Sequence, residues 1–218
     1  MATPNYQRRF QNPAVFVCDI QEAFRKSIFE FDKVVKTTSK LLRAATVLQI
    51  PIFVTTQNRA RLGDTVAELQ PYLAAASGLV KADADKTRFS MYVGPIAGYF
   101  PSTTTTAAAH EVVIVGIEAH ICVTQTALDL LAAGHRVFIL ADGVSSSSRE
   151  EVGVALARLR QAGAVVTTSE SWIYECMGDA AAGEFKEMVK LVKETGPDSK
   201  AALQGLLGGS TVGIRSSI

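Results

Sequence analysis

The sequence has few of the features that mark a secreted or nucleic-acid-binding protein. Its 218 residues include only three cysteines, and 22 basic residues almost balance 21 acidic ones. Cys18, Cys122 and Cys176 stand far apart and cannot form an even-numbered disulfide framework, which indicates a reducing compartment and free thiols. A net charge of +1, with no run of more than two Lys or Arg, argues against a surface built to neutralise a phosphate backbone.

Long apolar runs are also missing. No stretch approaches the roughly 20 apolar residues of a membrane span, and the opening residues MATPNYQRRFQNP lack the apolar core of a secretory signal. We therefore expect a cytoplasmic protein with no membrane partner and no nucleic-acid partner. The content of 48% hydrophobic and 20% charged residues is that of an ordinary globular protein, and the length suits one α/β domain with a sizeable core.

Short apolar runs alternate with helical patterns along the chain. The apolar runs predict six strands, at 14–19, 52–55, 78–84, 112–115, 136–140 and 164–168. Helical spacing predicts helices at 31–48, 65–75, 149–162 and 178–195, and the low-complexity stretch 102–109 is interpreted as another helix. This alternation predicts an α/β fold, a doubly wound and mostly parallel sheet in one domain. We expect a loose arm at 1–12, a single domain at 13–195 and a flexible tail at 196–218.

Residues 111–131, EVVIVGIEAHICVTQTALDLL, carry the clearest functional pattern. An apolar strand ends at Gly116, and a helix then opens with Cys122. Unpaired amides and the positive end of the helix dipole favour an anion there, which is how a cysteine nucleophile is presented. The alternative is that Cys122 is a small core residue, as most cysteines are.

Two more polar residues fall at the ends of predicted strands. Asp19 ends the first strand, and Lys86 follows the third. Ligands bind where parallel strands end, so one site can hold Asp19, Lys86 and Cys122. Asp19 then accepts the thiol proton, and Lys86 is a cation that stabilises both the carboxylate and the thiolate. Taken singly, Asp19 also fits a turn former, and Lys86 fits a solvated surface charge.

Three segments that contain these residues, VFVCDIQEAF, KTRFSM and VGIEAHICVTQTALDLL, resemble the isochorismatase-like cysteine hydrolases. The subgroup of isochorismatase domain-containing proteins is the most similar, and the resemblance spans about residues 12–175. It implies a three-layer fold with strand order 3-2-1-4-5-6 and helices on both faces of the sheet. It also implies that Asp19 is the base, Lys86 its charged partner and Cys122 the nucleophile.

The resemblance further implies a cis peptide between Ile117 and Glu118. The amides of Glu118 and Cys122 would then form an oxyanion hole. The implied reaction is hydrolysis of a small amide or related acyl C–N bond through a thioester intermediate. The substrate would be a small molecule, and the family's habit implies a homo-oligomer, either a dimer or a larger assembly.

The sequence also departs from some members of that family. Its nicotinamidases carry an aspartate and two histidines after the second strand, where this chain has TTQNRARLGD. We therefore expect no metal site and no other cofactor. Isochorismatases proper lack the cysteine, so Cys122 argues against cleavage of a vinyl ether. Some relatives have been labelled ribonucleases, and the balanced charge of this chain gives that activity little support.

Several residues near the strand ends are candidates for contact with the substrate. They are Gln21, Phe24, Gln57, Asn58 and Phe89, and each fits a structural role equally well. The segments 60–66 and 90–101 are candidate lids, and Cys18 is interpreted as a core residue. Two rival functions stay open: a catalytically silent binding or scaffold protein, and a thiol sensor in which peroxide oxidises Cys122.

Overall fold

The structure, a computed structural model, describes residues 8–103 and 108–208. Six strands form one sheet, and every neighbouring pair is parallel. The strands are β1 (Pro13–Cys18), β2 (Ile52–Gln57), β3 (Val80–Lys86), β4 (Glu111–Gly116), β5 (Arg136–Val144) and β6 (Val165–Thr167). Their order is β3-β2-β1-β4-β5-β6, which confirms the predicted fold class and strand order.

Helices connect these strands. They are α1 (Phe31–Leu48), α2 (Arg59–Leu62), α3 (Gln70–Ala75), α4 (Gly94–Ala97), α5 (Thr124–Ala132), α6 (Arg149–Gln161), α7 (Ser169–Met177) and α8 (Phe185–Ala202). A 3₁₀ turn covers Glu22–Phe24, and π-helical turns cover Ala119–Val123 and Leu203–Leu207. No helix among the described residues is long and apolar enough to cross a membrane.

The sheet separates two hydrophobic cores. Because side chains alternate along a strand, Val113 and Val115 of β4 pack with α1, α7 and α8, whereas Val112 and Ile114 pack with α5 and α6. All four side chains are fully buried. Burial of each such residue stabilises the fold by about 1.5–3 kcal/mol. The central strands are therefore fixed on both faces, and their carboxyl ends form a rigid base for a site.

The start of the described chain is docked rather than loose. Phe10 is 2% exposed and lies against the rings of Phe138 and Trp172, with centroids 5.0 and 6.1 Å apart. Arg9 also pairs with Glu175 at 3.0 Å. The prediction of a loose arm is therefore wrong for residues 8–12, because an aromatic anchor outweighs the polar composition. Residues 1–7 lie outside the described part of the chain.

The predicted tail begins too early. Helix α8 runs through Pro197 to Ala202, and the π-turn continues to Leu207. Ala202 and Leu206 are buried, so packing against the domain outweighs the Gly and Pro that favour a loop. The tail boundary at residue 196 is thus wrong for 196–208, and residues 209–218 are not described.

Several helices differ from the prediction: α3 covers only Gln70–Ala75 of the predicted 65–75, and the short helices α2 and α4 were not predicted. Helix α7 was not predicted, and its first turn is capped by Thr168, whose side chain accepts from the N–H of Ser171. The helix predicted at 102–109 has its centre, 104–107, outside the described residues, and the described positions on either side are not helical.

Candidate active site

The ends of β1 and β4 meet at the middle of the sheet, and the candidate site lies there. Cys18 pairs with Gly116, whose φ is +119°. A Cβ atom at Gly116 would lie 2.0 Å from the carbonyl oxygen of Cys18, so only glycine permits this approach. The next peptide, between Ile117 and Glu118, is cis, as the family resemblance implied.

A π-helical turn, Ala119–Val123, carries Cys122 and leads into α5. The sequence predicted an ordinary first helical turn at this place. Two threonine hydroxyls hold the wider turn: Thr124 Oγ1 donates to the Ala119 carbonyl and Thr126 Oγ1 to the Cys122 carbonyl, each at 2.6 Å. Such turns occur frequently at functional sites. Cys122 is 7% exposed, so it is buried at the edge of the core on the α5 face and keeps a small exposed area.

Asp19 leaves β1 with a φ of +51°, in the left-handed region. That conformation costs a residue other than glycine roughly 1–2 kcal/mol. The turn directs its carboxylate inward, where it is 1% exposed. Oδ1 accepts a hydrogen bond from Thr55 Oγ1 at 2.8 Å, and Oδ2 accepts one from Lys86 Nζ at 2.7 Å.

Lys86 is the last residue of β3, and its side chain is 1% exposed. Besides Asp19, its ammonium donates to Gln57 Oε1 at 2.8 Å and to the carbonyls of Arg88 and Phe89 at 3.1 and 2.9 Å. Burial by itself lowers the pKa of this ammonium, but its electrostatic interactions with Cys18, Asp19 and Cys122 outweigh burial. The pKa of Lys86 therefore lies above its ordinary value, and the alternative of a solvated surface charge is wrong.

A third polar group, the thiol of Cys18, also reaches Asp19. Its Sγ donates to Oδ2 of Asp19 at 3.7 Å. Burial raises the pKa of Cys18 well above its ordinary value, and a hydrogen bond with the Cys122 side chain and the charge of Asp19 raise it further. Sequence reasoning assigned Cys18 to the core alone. Its position directly before Asp19 was the available signal, but alternation along a strand places such neighbours on opposite faces, and only the left-handed turn brings them together.

The serine-rich turn after β5 holds the chain around Glu118. The carboxylate of Glu118 accepts from the N–H of Ser147 at 2.8 Å, and the carbonyl of Ser145 accepts from the N–H of Ala119 at 2.8 Å. Among the described residues, no acceptor takes the N–H of Glu118 itself. That donor is therefore available at the site.

The described part of the chain contains no cluster of side chains suited to a metal ion. Within the described ranges, no group of three or more His, Cys, Asp or Glu side chains is placed to hold a metal ion. Five surface grooves of about 280–510 Å³ lie over the outer helices and the sheet margins, and none is lined by Asp19, Lys86 or Cys122.

Comparison with known proteins gives the family. The model of the isochorismatase domain matches residues 13–171. The chain belongs to the isochorismatase family. This confirms the resemblance drawn from the three segments, each of which lies within the matched region.

Relatives within the family are similar over most of their length. The chain is 43% identical over 180 residues to the secreted isochorismatase effector Isc1 of Phytophthora sojae, covering 83% of this chain and 84% of that protein. It is 38% identical over 208 residues to isochorismatase domain-containing protein 2 of Homo sapiens, covering 95% and 94%. Among solved structures, the MAR1 ribonuclease from Caenorhabditis elegans is 38% identical with a TM-score of 0.76, covering 86% of this chain and 93% of that one.

Within this isochorismatase-family domain, Gln21 belongs to the frame behind the site. It is fully buried, and its Nε2 donates to the carbonyls of Gln57 and Gly63 at 3.2 and 2.6 Å. Its Oε1 accepts from the N–H of Gln57 at 2.7 Å. These three bonds occupy the side-chain amide and fix the segment at Gly63, which was a candidate lid.

The other four residues predicted to contact the substrate differ in how close they lie to the ion pair. The side-chain oxygen of Gln57 and the carbonyl of Phe89 contact the ammonium of Lys86, and Phe89 as a whole residue is 50% exposed. Asn58 has a left-handed φ of +44°, and its N–H donates to the Lys86 carbonyl at 2.9 Å. Phe24 packs against the core on the α1 face. Their contact with a substrate stays a prediction.

The second candidate lid is anchored. The N–H of Met91 donates to Thr126 Oγ1 at 2.8 Å, and the hydroxyl of Tyr92 donates to the carbonyl of Phe100 at 2.7 Å. Met91 and Phe100 are buried. The segment 90–101 therefore forms a packed wall beside α5.

Proposed function

We propose that the protein is a cysteine hydrolase that cleaves a small amide or a related acyl C–N bond. Cys122 is the nucleophile, Asp19 the base and Lys86 the stabilising cation. One observation carries the proposal: Nζ of Lys86 lies 2.7 Å from Oδ2 of Asp19, with side chains 1% and 2% exposed, and Cys122 lies in the π-helical turn that follows the adjacent strand β4. A buried ion pair is weak evidence for stability, whereas buried, perturbed charges cluster at functional sites.

The first half of the reaction forms a thioester. Asp19 takes the proton of Cys122, and the thiolate adds to the substrate carbonyl carbon. The carbonyl oxygen becomes an oxyanion, which accepts hydrogen bonds from the N–H groups of Glu118 and Cys122. As the C–N bond breaks, protonated Asp19 gives its proton to the leaving amine.

The second half releases the acid. Asp19 removes a proton from water, and the resulting hydroxide adds to the thioester carbonyl. The C–S bond then breaks, and the proton returns to the sulfur of Cys122. The sum is amide plus water giving carboxylic acid plus amine, with no net oxidation and with Asp19 and Cys122 restored.

Lys86 keeps the charge of the site balanced through both halves. Its pKa lies above the ordinary value, so it stays an ammonium across neutral pH. It faces one carboxylate when Cys122 is a thiol, and it faces a thiolate when Asp19 is protonated. Its three other acceptors, Gln57 Oε1 and two backbone carbonyls, hold the ammonium in place in either state.

Turnover of a panel of small primary amides tests the proposal. Purified wild type is compared with Cys122→Ala, Asp19→Asn and Lys86→Met, with ammonia release as the readout. We expect Cys122→Ala to fall to background and Asp19→Asn to lose about 10²–10⁴ in kcat. Cys176→Ala is the matched control, because that thiol is buried on the α1 face away from the site.

The same set of proteins distinguishes the hydrolase from the two rival functions. A catalytically silent scaffold shows no turnover of any amide and no effect of Cys122→Ala. A thiol sensor shows oxidation of Cys122 by dilute peroxide without acylation by any substrate. A single-stranded RNA is included because the C. elegans relative is named a ribonuclease, and we expect no cleavage.

The location and assembly of the protein are also proposals. We propose that the protein is cytoplasmic, as its composition led us to expect, and that it is a homo-oligomer, a dimer or larger, as the family resemblance implied. Light scattering on the purified full chain measures the assembly, and a monomeric mass at all concentrations contradicts it.

A further inference from the structure

Thr55 is a fully buried polar residue of β2, and the reaction above gives it no role. In the sheet it stands beside Cys18 of β1, and its carbonyl accepts the N–H of Asp19 at 3.2 Å. Its hydroxyl donates to Oδ1 of Asp19 at 2.8 Å and makes no other hydrogen bond with the described residues. Because threonine is branched at Cβ, its χ1 angle is restricted. The hydroxyl is therefore fixed against one oxygen of the proposed base.

The two oxygens of the Asp19 carboxylate differ in the donors that they meet. Oδ2 accepts from the ammonium of Lys86 at 2.7 Å and from the thiol of Cys18 at 3.7 Å. Among the described residues, Oδ1 accepts from Thr55 alone. An ionised carboxylate has about four lone-pair sites, two on each oxygen, so the free site is on Oδ1. A proton is also less favourable on the oxygen beside the ammonium, because a nearby cation stabilises negative charge there.

We propose that Oδ1 of Asp19 takes the proton of Cys122, and that Thr55 is the positioning residue that orients this oxygen and favours its ionised state. This inference rests on the proposed function. The S–H bond of Cys122 breaks and an O–H bond forms at Oδ1, so Cys122 becomes a thiolate and Asp19 becomes neutral. Thr55 keeps its own hydrogen throughout, and the proton on Oδ1 later goes to the leaving amine.

The hydrogen bond from Thr55 has two effects on the base. A hydroxyl binds an ionised carboxylate more strongly than a neutral carboxylic acid, so this bond favours the form of Asp19 that can accept a proton. It also fixes the direction of Oδ1, since Lys86 holds only the other oxygen. Rates of catalysis depend steeply on such orientation. Loss of the hydroxyl should therefore extend the acidic range in which the enzyme is inactive and slow the reaction above that range.

A substitution at Thr55 leaves the titratable groups around Asp19 in place. They are the ammonium of Lys86 on β3, the thiol of Cys18 on β1 and the thiol of Cys122 in the turn after β4. The backbone bond from the N–H of Asp19 to the carbonyl of residue 55 also remains. Thr55→Val keeps the shape of the side chain and removes only the hydroxyl, so it tests the hydroxyl by itself.

The pH dependence of p-nitrophenyl acetate hydrolysis tests the inference. Wild type, Thr55→Val, Thr55→Ser and Thr55→Ala are compared from pH 4 to pH 8. The acid limb of kcat/KM reports the ionisation of the base in the free enzyme. We expect this limb to move to higher pH by about one unit in Thr55→Val, which is about a tenfold loss at the acidic end. On the plateau above the limb, kcat should fall about tenfold or more.

The other two variants at this position separate the hydroxyl from packing. Thr55→Ser keeps the hydroxyl, so its acid limb should stay at the wild-type pH, whereas Thr55→Ala should shift as Thr55→Val does. If Thr55→Val fails to fold, this pair carries the test. Thr56→Val is the matched control, because the neighbouring hydroxyl is equally buried but lies on the opposite face of the sheet and donates to Asp85. We expect its acid limb to be that of the wild type.

Each outcome bears on the inference separately from the proposed function. An unchanged acid limb in Thr55→Val and Thr55→Ala overturns the inference and leaves the proposed function standing. A shift in Thr55→Ser or Thr56→Val equal to that in Thr55→Ala also overturns it, because packing would then be the cause. If the wild type turns over neither this ester nor any amide of the panel, or if Cys122→Ala is equally active, both the inference and the proposed function are overturned.

Discussion

Nζ of Lys86 lies 2.7 Å from Oδ2 of Asp19 although β2 stands between the strands that carry them. Neighbouring strands are about 4.8 Å apart, so the ends of β1 and β3 are separated by roughly 10 Å. The four-carbon stem of lysine spans the gap, and Gln57 at the end of β2 accepts from the same ammonium at 2.8 Å. Three neighbouring strands thus contribute to one ion pair, and Cys122 follows the fourth.

This ion pair predicts a non-additive effect on stability. Removal of one partner leaves a buried charge unpaired, so Lys86→Met should cost about 3–5 kcal/mol of unfolding free energy. Lys86→Met combined with Asp19→Asn should cost less than the sum of the two single changes, because neither charge remains. Urea unfolding of the four proteins measures the coupling. Additive losses would show that the two groups do not interact.

The close approach of β1 and β4 at Gly116 predicts that a change of glycine to alanine is harmful there. The same change at Gly153, which has open space around it, should be stabilising. Gly116→Ala places a Cβ 2.0 Å from a backbone oxygen at a φ of +119°, so we expect a loss of about 3 kcal/mol or more and loss of Cys122 reactivity. Gly153→Ala in α6 meets no atom within 4 Å and should stabilise the protein by roughly 0.5–1 kcal/mol. Chemical unfolding compares the two, and equal losses would contradict the close approach of β1 and β4.

The hydroxyl of Thr126 should affect the reactivity of Cys122 although we assign it no contact with the substrate. Its Oγ1 accepts from Met91 and donates to the Cys122 carbonyl, so Thr126→Val leaves a buried N–H without a partner. We expect a loss of about 1–3 kcal/mol and slower alkylation of Cys122. Thr38→Val is the control, because that equally buried hydroxyl donates only to the Val34 carbonyl of its own helix. A similar loss in both variants would mean that Thr126 does not hold the π-turn.

The buried thiols predict how stability depends on alkaline pH. Burial is the main cause that raises the pKa of both Cys18 and Cys176. An unfolded thiol loses its proton near pH 8.5. The stabilising contribution of each thiol is therefore complete below that pH and is lost as pH rises toward the folded-state pKa. Each thiol should lower the unfolding free energy by up to about 1.4 kcal/mol per pH unit in this window.

Unfolding between pH 8 and pH 10 checks this dependence. Cys176→Ala removes one of the two ionising groups, so its stability should fall less steeply with pH than that of the wild type. Parallel slopes would show that Cys176 ionises equally well in the folded state.

Most of the fold could be predicted from the sequence because its signals are periodic. Helix α1 has the predicted bounds, since buried Val34, Leu41 and Leu48 recur at helical spacing along a continuous segment. Alternation of strands and helices is compatible with only a few sheet topologies, and the family resemblance supplied the strand order. The sequence failed at residues 196–208, where composition favoured a loop, because the burial of Leu206 depends on contacts with distant residues.

Part of the candidate site could be predicted from the sequence. Asp19 follows β1 and Lys86 ends β3, and parallel strands end at one edge of the sheet, so the contact between these two residues follows from topology. The catalytic roles of Asp19, Lys86 and Cys122 stay predictions. The contact of Cys18 with Asp19 depends on a left-handed residue, and the local conformation at Cys122 depends on a π-helical turn. Neither feature has a sequence signal as strong as periodicity, and both depend on tertiary contacts.

Intact-mass spectrometry of a trapped acyl-enzyme is the most direct test of whether Cys122 is the nucleophile. The full chain is mixed with a small activated ester at neutral pH, quenched in acid and mapped by peptide mass. We expect one acyl group as a thioester on Cys122, formed more slowly in Asp19→Asn, absent in Cys122→Ala and formed at the wild-type rate in Cys176→Ala. Acyl groups spread equally over the three cysteines, or none on Cys122, would contradict it.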